Sequence, residues 1–168
     1  IGALQQAERV RLEARQFSDS ARTTALLAEF QRAAGQMDEA SQLAERAAQA
    51  GHRAGRIEVV ITADMTRLQI SLQRNSADSL DRAVALAELS ERHGSVSQHV
   101  AALDAWVGAL LQAADYERAL NIAQRCCEVA QNQPLLRLRA RSNARLAQVF
   151  AVSGQANKAV EVAQQAAA

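Results

Sequence analysis

Between residues 21 and 50 the apolar positions fall at helical spacing and then change character. Leu27, Phe30 and Ala34 follow Thr23-Thr24 and lie three and four residues apart, which predicts one apolar helix face. Gly35-Gln36 interrupts the pattern. A second stripe follows, made of Ala40, Leu43, Ala44 and Ala47. Small residues at that spacing let two helix backbones approach closely, so this stripe predicts where paired helices meet. The two-part pattern returns as Trp106, Val107 and Leu110, the break Ala114-Asp115, then Ala119, Ile122, Ala123 and Cys126. It returns again as Leu146, Ala147 and Phe150 before Gly154-Gln155, while Asn75-Ser76 marks a fourth break. No run alternates as a half-buried strand would. The chain is predicted to be all-α, with nine helices at roughly 2–16, 19–34, 36–51, 55–75, 77–93, 96–114, 116–132, 134–153 and 155–168. Ser18-Asp19-Ser20 is expected to cap one helix start, and Pro134 to occupy the first position of another.

The recurrence is quantitative. Ala21–Ala48 laid on Ala140–Ala167 gives eleven identities in 28 positions, 119 residues apart. The marker alanines Ala40, Ala83, Ala119 and Ala159 step by 43, 36 and 40 residues, so 119 is three repeats of about 40. A period of that size is the signature of stacked helix pairs, each repeat burying its apolar face on the next.

A helix-turn-helix repeat with a small residue at the turn, an acidic residue just after it and Ala-x3-Ala on the second helix resembles the tetratricopeptide repeat. MDEASQLAERA, YERALNIAQRC and NKAVEVAQQA carry the resemblance. The period is longer than the family's usual 34 and is similar to the variety found in kinesin light chains and in sensory regions of large bacterial regulators. The resemblance implies a right-handed α-solenoid of antiparallel helix pairs, about four repeats at 19–51, 55–93, 96–132 and 134–168. Residues 1–16 then read as the second helix of a further repeat, and the chain as one slice of a longer solenoid. Both ends are expected to expose apolar stripes, Leu4, Ala7 and Val10 at one and Val160, Ala163 and Ala167 at the other, and to favour self-association.

Charge and composition narrow the function by exclusion. Nineteen Lys and Arg against eighteen Asp and Glu leave a net charge of +1, without the footprint of a nucleic-acid or anionic-membrane binder. No apolar run approaches a membrane-spanning length, and nothing resembles a signal peptide. The adjacent Cys126 and Cys127 point about 100° apart on a helix and form no metal-ligand set, so they read as packing residues in a reducing, cytoplasmic setting. His52, His93 and His99 lie near predicted helix breaks without a triad or ligand spacing, and read as satisfied or solvated surface histidines. No phosphate-cradling, zincin or calcium motif occurs, so neither an enzyme nor a cofactor or metal is expected.

One constellation remains. LLRLRARSNAR sets Arg137, Arg141 and Arg145 at i, i+4 and i+8 on one helix face, continued by Gln148, with no acidic partner at i±4. Arg141 matches Arg22 in the first copy. Asp104, Gly108 and Gln112 follow one line on the preceding first helix, and the helix-interior Gly108 reads either as an open groove floor or as close packing beside Trp106. The resemblance implies that first helices line a groove for extended peptides or partner helices. Arg22, Asp104, Gly108, Arg137, Arg141, Arg145 and Gln148 are therefore the candidate groove residues. The row is either an anion reader, since guanidinium offers a rigid fork to carboxylate or phosphate, or the solvated face of an Ala-rich helix. The expected function is a protein- or peptide-binding module in the sensory or scaffolding region of a bacterial signalling protein. The alternative is a sugar- or metabolite-sensing domain of a transcriptional regulator.

Overall fold

The computed structural model describes the backbone of residues 2–167 and the side chains of Glu13 and of residues 16–164. Among them are eight α-helices and no strand: α1 Gly2–Ala33, α2 Met37–Arg53, α3 Ile57–Gln73, α4 Ser79–His93, α5 Val96–Gln112, α6 Tyr116–Gln131, α7 Leu136–Val152 and α8 Ala156–Ala167. The all-α expectation holds. The count of nine does not, because the helices placed at 2–16 and 19–34 are the single α1. No Gly or Pro interrupts residues 3–33, and Ser18-Asp19-Ser20 costs a helix only a few tenths of a kcal/mol per residue. The hydroxyls of Thr23 and Thr24 donate to the carbonyls of Asp19 and Ser20, each at 2.9 Å, which is bonding from inside a helix. Pro134 also falls short of its expected place, since α7 begins two residues later.

Four of the five turns that end in a left-handed residue keep the repeat's period. Gly35, Asn75, Ala114 and Gly154 all have positive φ, between 52° and 82°, and stand 40, 39 and 40 residues apart. At each, that residue's N–H bonds three residues back and the next N–H bonds five residues back, as in Gly154 to Ala151 and Gln155 to Phe150. This is the Schellman closure of a helix end. Gly55 makes the fifth, between α2 and α3. Helix α5 starts differently, with a full capping box between Ser95 and Gln98.

Two compact units divide the chain, Ile1–Ile70 and Ser71–Ala168. In the first, Ala21 and Ala25 of α1 pack with Ala47 and Ala48 of α2 and with Val59 and Ala63 of α3. In the second, each helix from α4 packs on the next and α5 also meets α7. Its core joins Val107 and Leu110 of α5, Ala119 and Ala123 of α6 and Val149 of α7. The alanine stripes are buried as expected: Ala40, Ala44, Ala119 and Ala123 are fully enclosed. The apolar face expected on α1 is not. Leu27 and Phe30 are exposed, and it is the alanines Ala21, Ala25 and Ala28 that turn inward. Both cysteines are free and buried, and burial pushes the Cys127 thiol up to about 12.

His99 also departs from expectation. It lies inside α5 and is buried. Ser90 Oγ lies 2.9 Å from the Ala87 carbonyl, to which it donates, and 3.2 Å from His99 Nδ1. His52 and His93 are exposed. Burial holds the His99 imidazole below its ordinary 6.5, against the pull of Glu91 and with the push of Arg125. A depressed folded value means the unfolded chain takes the proton first. The contribution of neutral His99 is thus complete above pH 6.5 and is lost as pH falls below it. Denaturant midpoints measured from pH 7.5 downward are expected to fall less steeply in His99→Gln than in the parent chain; equal slopes refute the assignment.

Ala114 supplies a second expectation. It holds φ 55° where the other four left-handed turns carry three glycines, Gly35, Gly55 and Gly154, and Asn75, and a Cβ in that region costs about 1–2 kcal/mol. Ala114→Gly is expected to raise stability by roughly 0.5–1 kcal/mol, the strain relieved less the added freedom of the unfolded chain. A lowered denaturant midpoint contradicts it.

Candidate functional site

The arginine row of α7 has an acidic partner, and it comes from α5. Asp104 is 4% exposed. Its Oδ1 accepts from Arg145 Nε at 2.6 Å, and its Oδ2 accepts from Arg145 Nη2 at 3.2 Å and Arg141 Nη2 at 2.7 Å. Arg145 is thus bidentate on the carboxylate, and its remaining Nη1 donates to Gln148 Oε1 at 2.8 Å. The spacing explains the assembly. Arg141, Arg145 and Gln148 stand one turn apart on α7, and α5 and α7 are the first helices of consecutive repeats, which touch. No acid stands at i±4 of the row, and its partner lies 37 and 41 residues away in sequence, on another helix.

Electrostatics follow from burial and pairing. Burial pushes the Asp104 carboxyl up, but the hydrogen bonds and charges of Arg145 and then Arg141 outweigh it, and the group sits below its ordinary 3.8. The bond to Asp104 raises Arg145 in turn. The two arginines differ in access. Arg145 keeps 27% of its side chain in solvent, whereas Arg141 keeps 55%. Arg145 anchors the carboxylate, and Arg141 touches it with one nitrogen and presents the rest outward.

Of the seven candidates, the structure brings together Asp104, Arg141, Arg145 and Gln148. Arg137 is exposed one turn earlier on α7, and no ion pair of it or of Arg139 occurs among the described residues. Gly108 lies one turn from Asp104 along α5. A Cβ there meets only Leu72 Cδ1, at an ordinary 3.9 Å, so close packing does not demand the glycine. Arg22 belongs to the first unit, exposed on α1. Gln112, on the same line as Asp104, donates to the Leu72 carbonyl at 2.9 Å and so closes the end of α3.

A buried polar ladder was missed. Ser142, fully enclosed between the arginines, meets Cys126 Sγ at 3.4 Å, and that thiol donates to the Val100 carbonyl at 3.6 Å. It ties α5, α6 and α7 together beside Asp104. Its one sequence signal is a Ser inside an arginine-rich helix. Burial holds the Cys126 thiol above its usual range, so it is a protonated donor there and no nucleophile. Among the described residues no three metal-ligating side chains cluster, and no helix is long and apolar enough to cross a membrane. An open cavity of about 320 Å³ lies at the turn into α8, lined by Gly154 to Lys158 and away from the arginine row.

No family model matches the chain, and no curated protein matches it. Among solved structures its fold is similar to that of BtubC (BKLC) from P. vanneervenii, with a TM-score of 0.71 at 19% sequence identity over 87% of this chain. The match spans 61% of that protein, so the chain corresponds to less than two thirds of it. Identity that low speaks for the helical fold alone.

Removing one side of this cluster has a predictable cost. Asp104→Ala leaves two guanidiniums without their acceptor and is expected to destabilise by about 2 kcal/mol, below the 3–5 of a fully buried pair because Arg141 is half in solvent. Asp104 has a lowered folded value, so its contribution is complete above pH 3.8 and is lost as pH falls further. The difference in denaturant midpoint between parent and Asp104→Ala should therefore shrink in acid; a constant difference tells against the charged pair.

Proposed function

We propose that the chain is a right-handed tetratricopeptide-like array that binds an acidic segment of a partner protein along α7, within the sensory or scaffolding region of a bacterial signalling protein. One observation supports this most. Helix α7 carries four arginines and no acid, and Asp104, the one carboxylate paired with it among the described residues, leaves Arg137 exposed and Arg141 more than half exposed. Arg145 and Arg141, held by the buried Asp104 carboxylate, keep their geometry without a ligand, so less side-chain ordering opposes binding there. Guanidiniums held one turn apart suit carboxylates presented by an extended or helical segment. The spacing of the left-handed turns, at 40, 39 and 40 residues, also supports the repeat assignment. The alternative of a metabolite sensor calls for an enclosed pocket with converging polar groups, and nothing at the arginine row favours it.

The test uses a fluorescein-labelled peptide rich in Asp and Glu, with an uncharged peptide of equal length as control. Arg137→Ala is expected to weaken the acidic peptide about five- to tenfold at low salt, the loss of one charge-assisted contact. The difference should narrow as salt screens the charges, while stability stays within about 0.5 kcal/mol, as at an ordinary surface site. Equal binding of both peptides, or no change in Arg137→Ala, refutes the reading.

A further inference from the structure

The four first helices share one register, counted back from the left-handed residue that ends each. Five residues before it stand Phe30 on α1, Ile70 on α3, Ala109 on α5 and Val149 on α7. Ile70, Ala109 and Val149 are 4%, 3% and 0% exposed, whereas Phe30 is 72% exposed. Nine residues before it, Thr66 and Ala105 are buried and Arg145 is partly so, but Leu26 is exposed. Twelve before it, Ala63, Ala102 and Ser142 are enclosed, but Thr23 is exposed. One face of α1 lacks what the same face of the later helices has.

The cover on those later helices is identifiable. Ala63 shares a core cluster with Ala47 and Ala48 of α2, and Ser142 meets Cys126 of α6. Both partners lie on the second helix of the preceding repeat, at equivalent positions twelve residues after the turn. The face Thr23, Leu26 and Phe30 is thus built to receive a second-type helix with a small-residue stripe.

Helix α8 has the opposite lack. Five and nine residues after the turn, α2 and α6 bury Ala40, Ala44, Ala119 and Ala123 completely. On α8 the same positions are Ala159, partly buried, and Ala163, exposed, with Val160 beside them at 58% exposure. It is a second-type helix in the right register, without a first-type helix on its outer side among the described residues.

We propose that α8 of one copy seats on the Thr23, Leu26 and Phe30 face of α1 of a second copy, continuing the packing that α2 makes on α3 and α6 on α7. The contact joins two different surfaces, so it is head-to-tail rather than self-complementary. The expectation for the end bearing Val160 and Ala163 is sharpened in this way, while Leu4, Ala7, Val10 and Ala167 have side chains outside the described residues.

The test rests on that asymmetry. Sedimentation of the 168-residue chain across micromolar to submillimolar concentration is expected to show association. Phe30→Glu blocks the receiving face and Val160→Glu the inserting one. Both sites are exposed, and circular dichroism with melting checks that each variant folds. Each variant alone is expected to associate at least tenfold more weakly. An equimolar mixture should form a dimer and nothing larger, because one variant keeps α8 intact and the other keeps α1. A parent chain that stays monomeric overturns the proposal. So does a Val160→Glu variant that associates like the parent, which marks a contact made by α1 with itself, and so does a mixture that stays monomeric.

Discussion

Close approach of helix backbones through alanine is the constraint on which the rest of this structure depends. Ala40, Ala44, Ala119 and Ala123 are fully enclosed, and only 3% of the chain is aromatic. A methyl group buries little area, so each helix pair gains modest hydrophobic free energy, and dispersion between well-fitted backbones must supply more of the total. Such packing tolerates no extra volume. Gly51 shows the limit: a Cβ there falls 2.9 Å from Val60 Cγ2 and 3.2 Å from the Arg56 carbonyl. Repetition of one turn geometry keeps the helices at the required spacing. That is why left-handed residues recur at 40, 39 and 40, even where the residue is Ala114 and the conformation is strained.

The sequence pattern was legible where local and tertiary preferences agreed. Seven of the eight helices, the four periodic turns and the alanine stripes all rest on features a few residues long that the packing reinforces. The misreadings came where a local signal had no tertiary reinforcement. Ser18-Asp19-Ser20 offers cap oxygens, but with no breaker beside it the helix runs through. Phe30 has the right spacing for a core face, yet spacing states which residues share a face and not whether anything covers it.

Asp104 shows a different limit. Its position on the candidate line was visible, but its partnership with Arg141 and Arg145 is a property of two helices separated by about 40 residues. The row has no acidic neighbour along α7 because the compensating carboxylate stands on α5, about 40 residues earlier in the chain. The repeat itself holds the missing clue. If first helices of successive repeats touch, a polar residue at one register can meet residues one period later, and a buried Asp on one helix calls for a cation on the next. The hidden ladder of Val100, Cys126 and Ser142 obeys the same rule across three helices.

The Asp104 cluster is better understood as a device for position than as a source of stability. Burying a carboxylate carries a desolvation penalty that ion pairing only about offsets, and an apolar residue of similar volume often serves stability as well or better. What the charge adds is direction. A carboxylate with three donors on two oxygens fixes the plane of the Arg145 guanidinium and tethers one nitrogen of Arg141, whereas an apolar contact leaves both free to rotate. The two arginines of the pair differ in exposure. Arg145 is bidentate on Asp104 and donates its remaining Nη1 to Gln148, while Arg141 touches the carboxylate with one nitrogen and keeps most of its donors unspent. Arg137 and Arg139, both exposed and without an ion pair among the described residues, show the same helix without that fixed aim.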